Sequence, residues 1–288
     1  MGDGGVTVVG PRVYVVGRQA VDAAALDRFL LDHGVSWESD SEVAAEVLTE
    51  TAGRVCYMSF ARPRPGGNAA YLAHIKEASH GSVLEHAVFN LIVTGVSRSL
   101  THELVRHRAG FGYSQLSQRY VDESVAEYVE PDVIAADPEL HAVWLDAVNH
   151  AHAAYVKLAG LLALNLEPEL ARRYRLDPDR NRDDPPLRES ELGLIESSRT
   201  DRRKAARQAA RSVLPNATEA KVFVTANARA LRHFIEQRGS RHAEPEIRRL
   251  AGLVLDALRA EAPNLFGDYA RRPLPDGTDE ITTPHPKV

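Results

Sequence analysis

The chain has 288 residues, 44% hydrophobic and 26% charged, enough length for a substantial core and an ordinary balance for a globular protein. Its net charge of −5 and pI near 6.2 argue against a general nucleic-acid binder, whose domain would be basic overall, so no stable nucleic-acid complex is expected. A lone cysteine, Cys56, excludes an intrachain disulfide, no apolar run approaches the roughly 20 residues that span a bilayer, and no signal-peptide pattern opens the chain; a cytoplasmic protein is expected.

The apolar stretch 13–16 (VYVV) predicts an edge strand, and 22–32 an amphipathic helix. A second helical pattern over 41–55 leads into Cys56, whose apolar neighbours predict a buried, inert thiol. Residues 62–67 (RPRPGG) read as a loop, and Asn68 is placed to cap a helix running to about Ser79. Residues 80–86 (HGSVLEH) form a polar turn, whose histidines and glutamate ordinary capping would explain. The turn feeds 87–96 (AVFNLIVTGV), a buried strand by its β-branched and aliphatic run.

The most informative stretch follows, SRSLTHELVRHRAGFGYSQLSQRYV over 97–121. Ser97 or Ser99 caps a short helix. Glu103, Arg106 and His107 project from one face of it, because residues three and four apart are neighbours on a helix. Arg106-His107-Arg108 is then a cationic cluster at a helix C-terminus, suited to a doubly anionic ligand but equally compatible with solvated surface. A zinc helix is not expected. His102 and His107 are five apart, about 140° round a helix, where the metal motif needs a spacing of four. If 113–121 is extended, Gln115, Ser117 and Arg119 share one side, offering amide, hydroxyl and guanidinium to a base and a phosphate.

Further on, 141–166 predicts a long helix whose aromatic and leucine stripe serves a core or a subunit interface. Residues 172–203 are nearly all charge and turn formers and predict a solvated, partly disordered insertion within one domain. Strong helix formers return over 204–214 and stop before Pro215. A strand is expected over 219–226, then a helix capped by Asn227 and carrying Arg229, His233 and Arg238, then a helix over 243–262. The tail, 272–288, reads as extended. The fold expected is α+β, one domain with a central, mostly antiparallel sheet flanked by helices and interrupted by the charged insertion.

Two motif blocks carry a resemblance. Arg106-His107-Arg108, a spacer and Ser117-Gln118-Arg119 resemble the signature of the flavin-dependent thymidylate synthases, and VTANARALRHFIEQRGSRHAEPEI (224–247) is similar to that family's second signature. The family spacer has seven residues; here 109–116 makes eight. The similarity covers about 50–270. It implies reductive methylation of uracil C5 in dUMP with methylenetetrahydrofolate as carbon donor, FAD as cofactor and NADPH as reductant. The longer spacer also implies UMP as a substrate, as in family members of nucleoside-antibiotic pathways. By the same resemblance Arg238 polarises the uracil, and Glu103, Arg106, Gln115, Ser117, Arg119 and Arg211 bind the nucleotide. Ser82, Glu85, Arg106, His107, Arg108, Asn227, Arg229 and His233 face the flavin, no metal is needed, and a homotetramer shares its FAD sites between subunits. A non-catalytic uridine-nucleotide- or RNA-binding protein on the same fold is the alternative.

Overall fold

The computed structural model describes residues 6–62, 65–165 and 189–288. The strands are β1 (Thr7–Val8), β2 (Arg12–Arg18), β3 (Val88–Ser97), β4 (Phe111–Gln115), β5 (Glu127–Tyr128), β6 (Glu219–Asn227), β7 (Ala270–Pro273) and β8 (Asp279–Thr282). The principal helices are α1 (Ala23–Asp32), α2 (Ala44–Tyr57), α3 (Gly67–Glu77), α4 (Arg98–Leu104), α5 (Pro138–Asn165), α6 (Glu189–Ala210), α7 (Ala228–Arg238) and α8 (Pro245–Glu261). They form two compact units, Met1–Val9 with Leu116–Glu219, and Gly10–Gln115 with Ala220–Val288.

The second unit is built on a four-stranded sheet of order β2-β3-β6-β4, with β2 antiparallel to β3 and β4 antiparallel to β6. As expected, β2 is an edge strand; Tyr14 and Val16 point to solvent while Val13 and Val15 pack on the core. In β3 the alternation places Phe89, Leu91 and Val93 in the core, and β6 does the same with Val222, Val224 and Ala226. Against them lie Leu231, Phe234 and Ile235 of α7 and Ile247, Leu250, Val254 and Leu258 of α8, each side chain worth about 1.5–3 kcal/mol on burial.

Polar residues close this core at three places. On α2 the buried face carries Glu46, Thr49, Glu50 and Arg54, so Cys56 lies on the outer face. The buried-thiol expectation is therefore corrected: Cys56 is exposed. Asn68 does not cap α3, which starts after Gly66; its buried amide instead donates to Glu50 at 2.8 Å and to the Glu46 carbonyl at 3.2 Å. The tail is more than an extended strap, because β7 and β8 pair into an antiparallel hairpin that buries Ile281. Thr283 anchors it by donating to Asp268 at 2.6 Å. Burial alone would raise the Asp268 pKa, but hydrogen bonds and charge from Arg232, with Lys76 and Thr283, hold it well below the usual carboxylate range.

In the first unit β1 pairs in parallel with β5, and α5 packs against α6. Tyr128, Val148 and Tyr155 are buried, and the Tyr128 hydroxyl meets His152 Nδ1 at 2.9 Å. Of the expected insertion over 172–203, residues 172–188 lie outside the described residues. The remainder, 189–203, is helical and not solvated coil. No helix among the described residues is long and apolar enough to cross a membrane.

Candidate functional site

The site is a cavity of about 540 Å³ in the second unit, where the ends of α4 and α7 meet the start of β4. The sequence sets each wall locally. Ser97 caps α4 by accepting from Leu100 N at 3.0 Å, and Glu246 accepts from both the amide and the hydroxyl of Ser97 at 2.7 Å. The helix ends at Val105, and the amides of Arg106 and His107 turn back onto the carbonyls of Glu103 and Leu104 at 3.2 and 3.1 Å. Half-buried Tyr113 of β4 fixes that turn; its hydroxyl lies 2.9 Å from the Leu104 carbonyl and 2.8 Å from that of His107. Asn227 caps α7 by accepting from Ala230 N at 2.8 Å, and α7 delivers His233, Gln237 and Arg238 to the cavity.

At the centre Arg238 is held from two sides. Its Nη1 donates to the Glu103 carboxylate, and its Nε donates to His107 Nε2 at 2.9 Å. Guanidinium only donates, so His107 must offer a lone pair at Nε2, with its proton on Nδ1. Burial against Phe111 and Phe234 lowers the His107 pKa, and Arg238 and His233 lower it further, to about 4. The Arg-His-Arg triplet is thus not uniformly cationic: His107 is neutral at physiological pH. Arg106 and Arg108 are exposed, and neither guanidinium has an ion pair or hydrogen bond among the described residues. Three guanidiniums against one carboxylate leave the cavity net positive, which suits a dianionic ligand with directed N–H donors.

The remaining expected residues divide by unit. Gln115 ends β4, its amide 3.3 Å from the Thr101 hydroxyl. Glu85 and Arg229 form an exposed ion pair at 2.6 Å, beside Ser82 on the short helix Gly81–His86. Ser117, Arg119 and Arg211 belong to the first unit. The extended reading of 113–121 is corrected there: β4 stops at Gln115, and the amides of Tyr120 and Val121 fold back onto the Ser117 carbonyl at 3.1 and 3.0 Å, so Ser117 and Arg119 sit on a turn. Arg119 lies over the Tyr120 ring, 5.7 Å from its centroid, and Arg211 opens the short helix Arg211–Val213. Sequence reasoning missed Gln237 and Phe111 in the cavity wall; Gln237 was legible as the residue one turn after His233 on the same helix face.

A diphosphate-bearing cofactor needs cationic donors not already consumed by carboxylates; Arg106 and Arg108 in the wall supply them, and the His233 ring lies in the same wall. The donor set fits a flavin nucleotide. Fold and site together define an α+β protein with a cationic pocket. The family described as thymidylate synthase complementing protein matches residues 40–264. Proteins described as flavin-dependent thymidylate synthase are 46% identical in Mycobacterium sp. (strain JLS), over 92% of this chain and 95% of the relative, and 41% identical in Corynebacterium efficiens, over 92% and 96%. In fold, the chain resembles a UMP/dUMP methylase, PolB, from Streptomyces cacaoi, solved with 5-Br dUMP: TM-score 0.56, 18% identity, covering 91% of this chain and 95% of that one. The chain belongs to the flavin-dependent thymidylate synthases and is a flavoenzyme.

Proposed function

We propose that the chain methylates uracil C5 of dUMP, and of UMP as a second nucleotide, with methylenetetrahydrofolate as carbon donor, FAD as the flavin and NADPH as reductant. The observation that carries this is Arg238, a guanidinium in a cationic cavity fixed by Glu103 and by neutral His107. Held this way, Arg238 stabilises negative charge that develops on the pyrimidine as C5 is activated, and no protein nucleophile is required. Arg106 offers a bidentate donor to the phosphate; Gln115, Ser117, Arg119 and Arg211 keep the nucleotide-binding roles that the resemblance implies. Ser82, Glu85, Arg108, Asn227, Arg229 and His233 hold the cofactor, with Glu85 fixing Arg229 in place. FAD, once bound and reduced, supplies the hydride that completes the methyl group. The UMP reading is supported by the description of the PolB fold neighbour as a UMP/dUMP methylase.

The protein works in the cytoplasm as a homotetramer sharing flavin sites between subunits, and it forms no stable complex with nucleic acid. Exposed apolar residues on α5, Val143 at 67% and Leu161 at 50%, support an assembly. The test is turnover of dUMP and UMP by purified protein with FAD, NADPH and methylenetetrahydrofolate, together with the flavin absorbance of the protein as isolated. Yellow protein forming the 5-methyl product supports the reading. Colourless protein that binds dUMP without turnover refutes it in favour of a non-catalytic nucleotide binder.

A further inference from the structure

Eight residues separate Arg108 from Ser117, and the spacer starts as a tight turn. The amide of Phe111 donates to the carbonyl of Arg108 at 3.1 Å, closing a four-residue turn with Ala109 and Gly110 at its centre. Gly110 has φ +74°, the left-handed value that the third position of such a turn favours in glycine. From Phe111 onward β4 keeps unbroken register with β6, Phe111 opposite Ala226 through to Gln115 opposite Val222. The strand itself therefore takes up no extra residue, and Gln115 keeps the place the sheet gives it.

The turn lies flush on the start of α7. The Gly110 carbonyl accepts from Asn227 N at 3.1 Å. A Cβ at position 110 would stand 2.7 Å from Asn227 Nδ2 and 2.8 Å from Ala230 Cβ, closer than van der Waals contact allows. Ala230 is fixed in the first turn of the helix. Asn227 is not free to swing aside either, because its Oδ1 is the α7 cap.

We propose that Gly110 is a positioning residue of the flavin site. Its bare Cα lets the spacer turn seat on the Asn227 cap, which fixes Arg108 at the head of the turn and the Asn227 amide beside it. The longer spacer then governs flavin retention and not the choice between dUMP and UMP. The proposal rests on the assignment of Arg108 and Asn227 to the flavin, made above.

The test measures FAD affinity by flavin fluorescence, and kcat/KM for dUMP and UMP, in wild type, Gly110→Ala, Gly110→Asn, Asn227→Ser and the double variant Gly110→Ala/Asn227→Ser. Wild type with neither flavin nor turnover would overturn the functional reading and this inference with it. With wild type active, Gly110→Ala should weaken FAD by about tenfold or more, the size of a small overpacking clash, while the UMP:dUMP ratio stays within about twofold. Asparagine tolerates the left-handed region but carries the Cβ, so Gly110→Asn should weaken FAD comparably if the contact with Asn227 is the cause. Asn227→Ser keeps a capping oxygen and deletes the amide. The double variant should then lose clearly less FAD affinity than the product of the two single losses, the non-additivity expected of residues in contact, with the remainder set by the Ala230 Cβ contact that it keeps. Three results overturn the inference: Gly110→Asn holding FAD as wild type does, single losses that simply multiply in the double variant, or a shift of about tenfold or more in the sugar ratio with either Gly110 variant. If the Gly110 variants fail to fold, Asn227→Ser, which adds no Cβ at position 110, decides: FAD affinity within about twofold of wild type would overturn the inference.

Discussion

Acid should dismantle the Arg238 site through His107. Protonating His107 replaces the lone pair that accepts from Arg238 Nε with an N–H, and sets two cations 2.9 Å apart. In the folded protein the ring resists this down to about pH 4, chiefly because it is buried, and also because Arg238 and His233 lie beside it. An unfolded histidine titrates near 6.5. With the folded pKa depressed, the unfolded state takes up the proton first, so the contribution to stability is full above about pH 6.5 and is lost as pH falls toward 4. Between pH 7 and 5 the loss works out at about 1–2 kcal/mol, the lower end allowing for solvent screening of a half-buried ring. The control is His107→Gln, whose amide oxygen can accept from Arg238 yet does not titrate. Urea unfolding of both proteins at pH 7 and pH 5 measures the difference directly. The wild type should lose about 1–2 kcal/mol more than the variant over that interval. Equal losses, or an NMR titration placing His107 near 6.5, would refute the neutral-acceptor reasoning.

Other variants separate the remaining roles. Arg238→Ala should cut kcat by about 10²–10³ while flavin stays bound, because it removes one preorganised donor aimed at the pyrimidine; loss of flavin with nucleotide affinity intact would show that the role is misassigned. Cys56→Ser should leave kcat within about threefold of wild type, since the exposed thiol sits outside the cavity wall; a roughly thousand-fold loss in a folded protein would point to covalent catalysis. Asp268→Asn should cost roughly 3–5 kcal/mol in urea unfolding at neutral pH, because it strands the buried charges of Arg232 and Lys76; a loss below about 1 kcal/mol would mean that water reaches the cluster.

Much of the frame was legible because local signals agreed. The apolar run of β3, the Ser97 cap, the Asn227 cap and the core spacing of α8 all appear where pattern and capping chemistry place them. The misreadings share a cause, dependence on partners far along the chain. Alternating polar residues over 115–119 suit a strand or a turn, and nothing local marks the bend at Ser117. Cys56 looked buried because its neighbours are apolar, yet α2 turns a polar face inward, where Glu50 and Arg54 pair at 2.6 Å. The charged stretch over 189–203 looked like coil; what stabilises the helix includes tertiary ties such as Arg207 donating to Asp122 at 2.7 Å, 85 residues away. The neutrality of His107 was out of reach for the same reason, since Arg238 lies 131 residues on.

The cavity also departs from the commonest way of binding phosphate. Helix N-termini offer unpaired amides and a positive dipole end, and glycine-rich loops exploit both. Here Arg106, His107 and Arg108 follow the C-terminus of α4, and Arg238 closes α7 at its C-terminus, so both helices present their negative ends and carbonyls to the cavity. Those ends favour guanidinium and disfavour an anion. Attraction for a nucleotide must then come from side-chain charge alone, which explains why so many arginines converge in a protein with a net charge of −5. It also explains Glu103. Arg238 sharing a cavity with Arg106 and Arg108 would be pushed toward solvent; one carboxylate and a neutral acceptor bonded to it hold it inward. Arg106 and Arg108 have no such tether among the described residues, so their donors stay available while Arg238 is already in place. The two kinds of arginine differ because their chemistry differs. A group that stabilises charge during reaction gains from being fixed beforehand, whereas groups that capture a phosphate gain from an unpaired guanidinium.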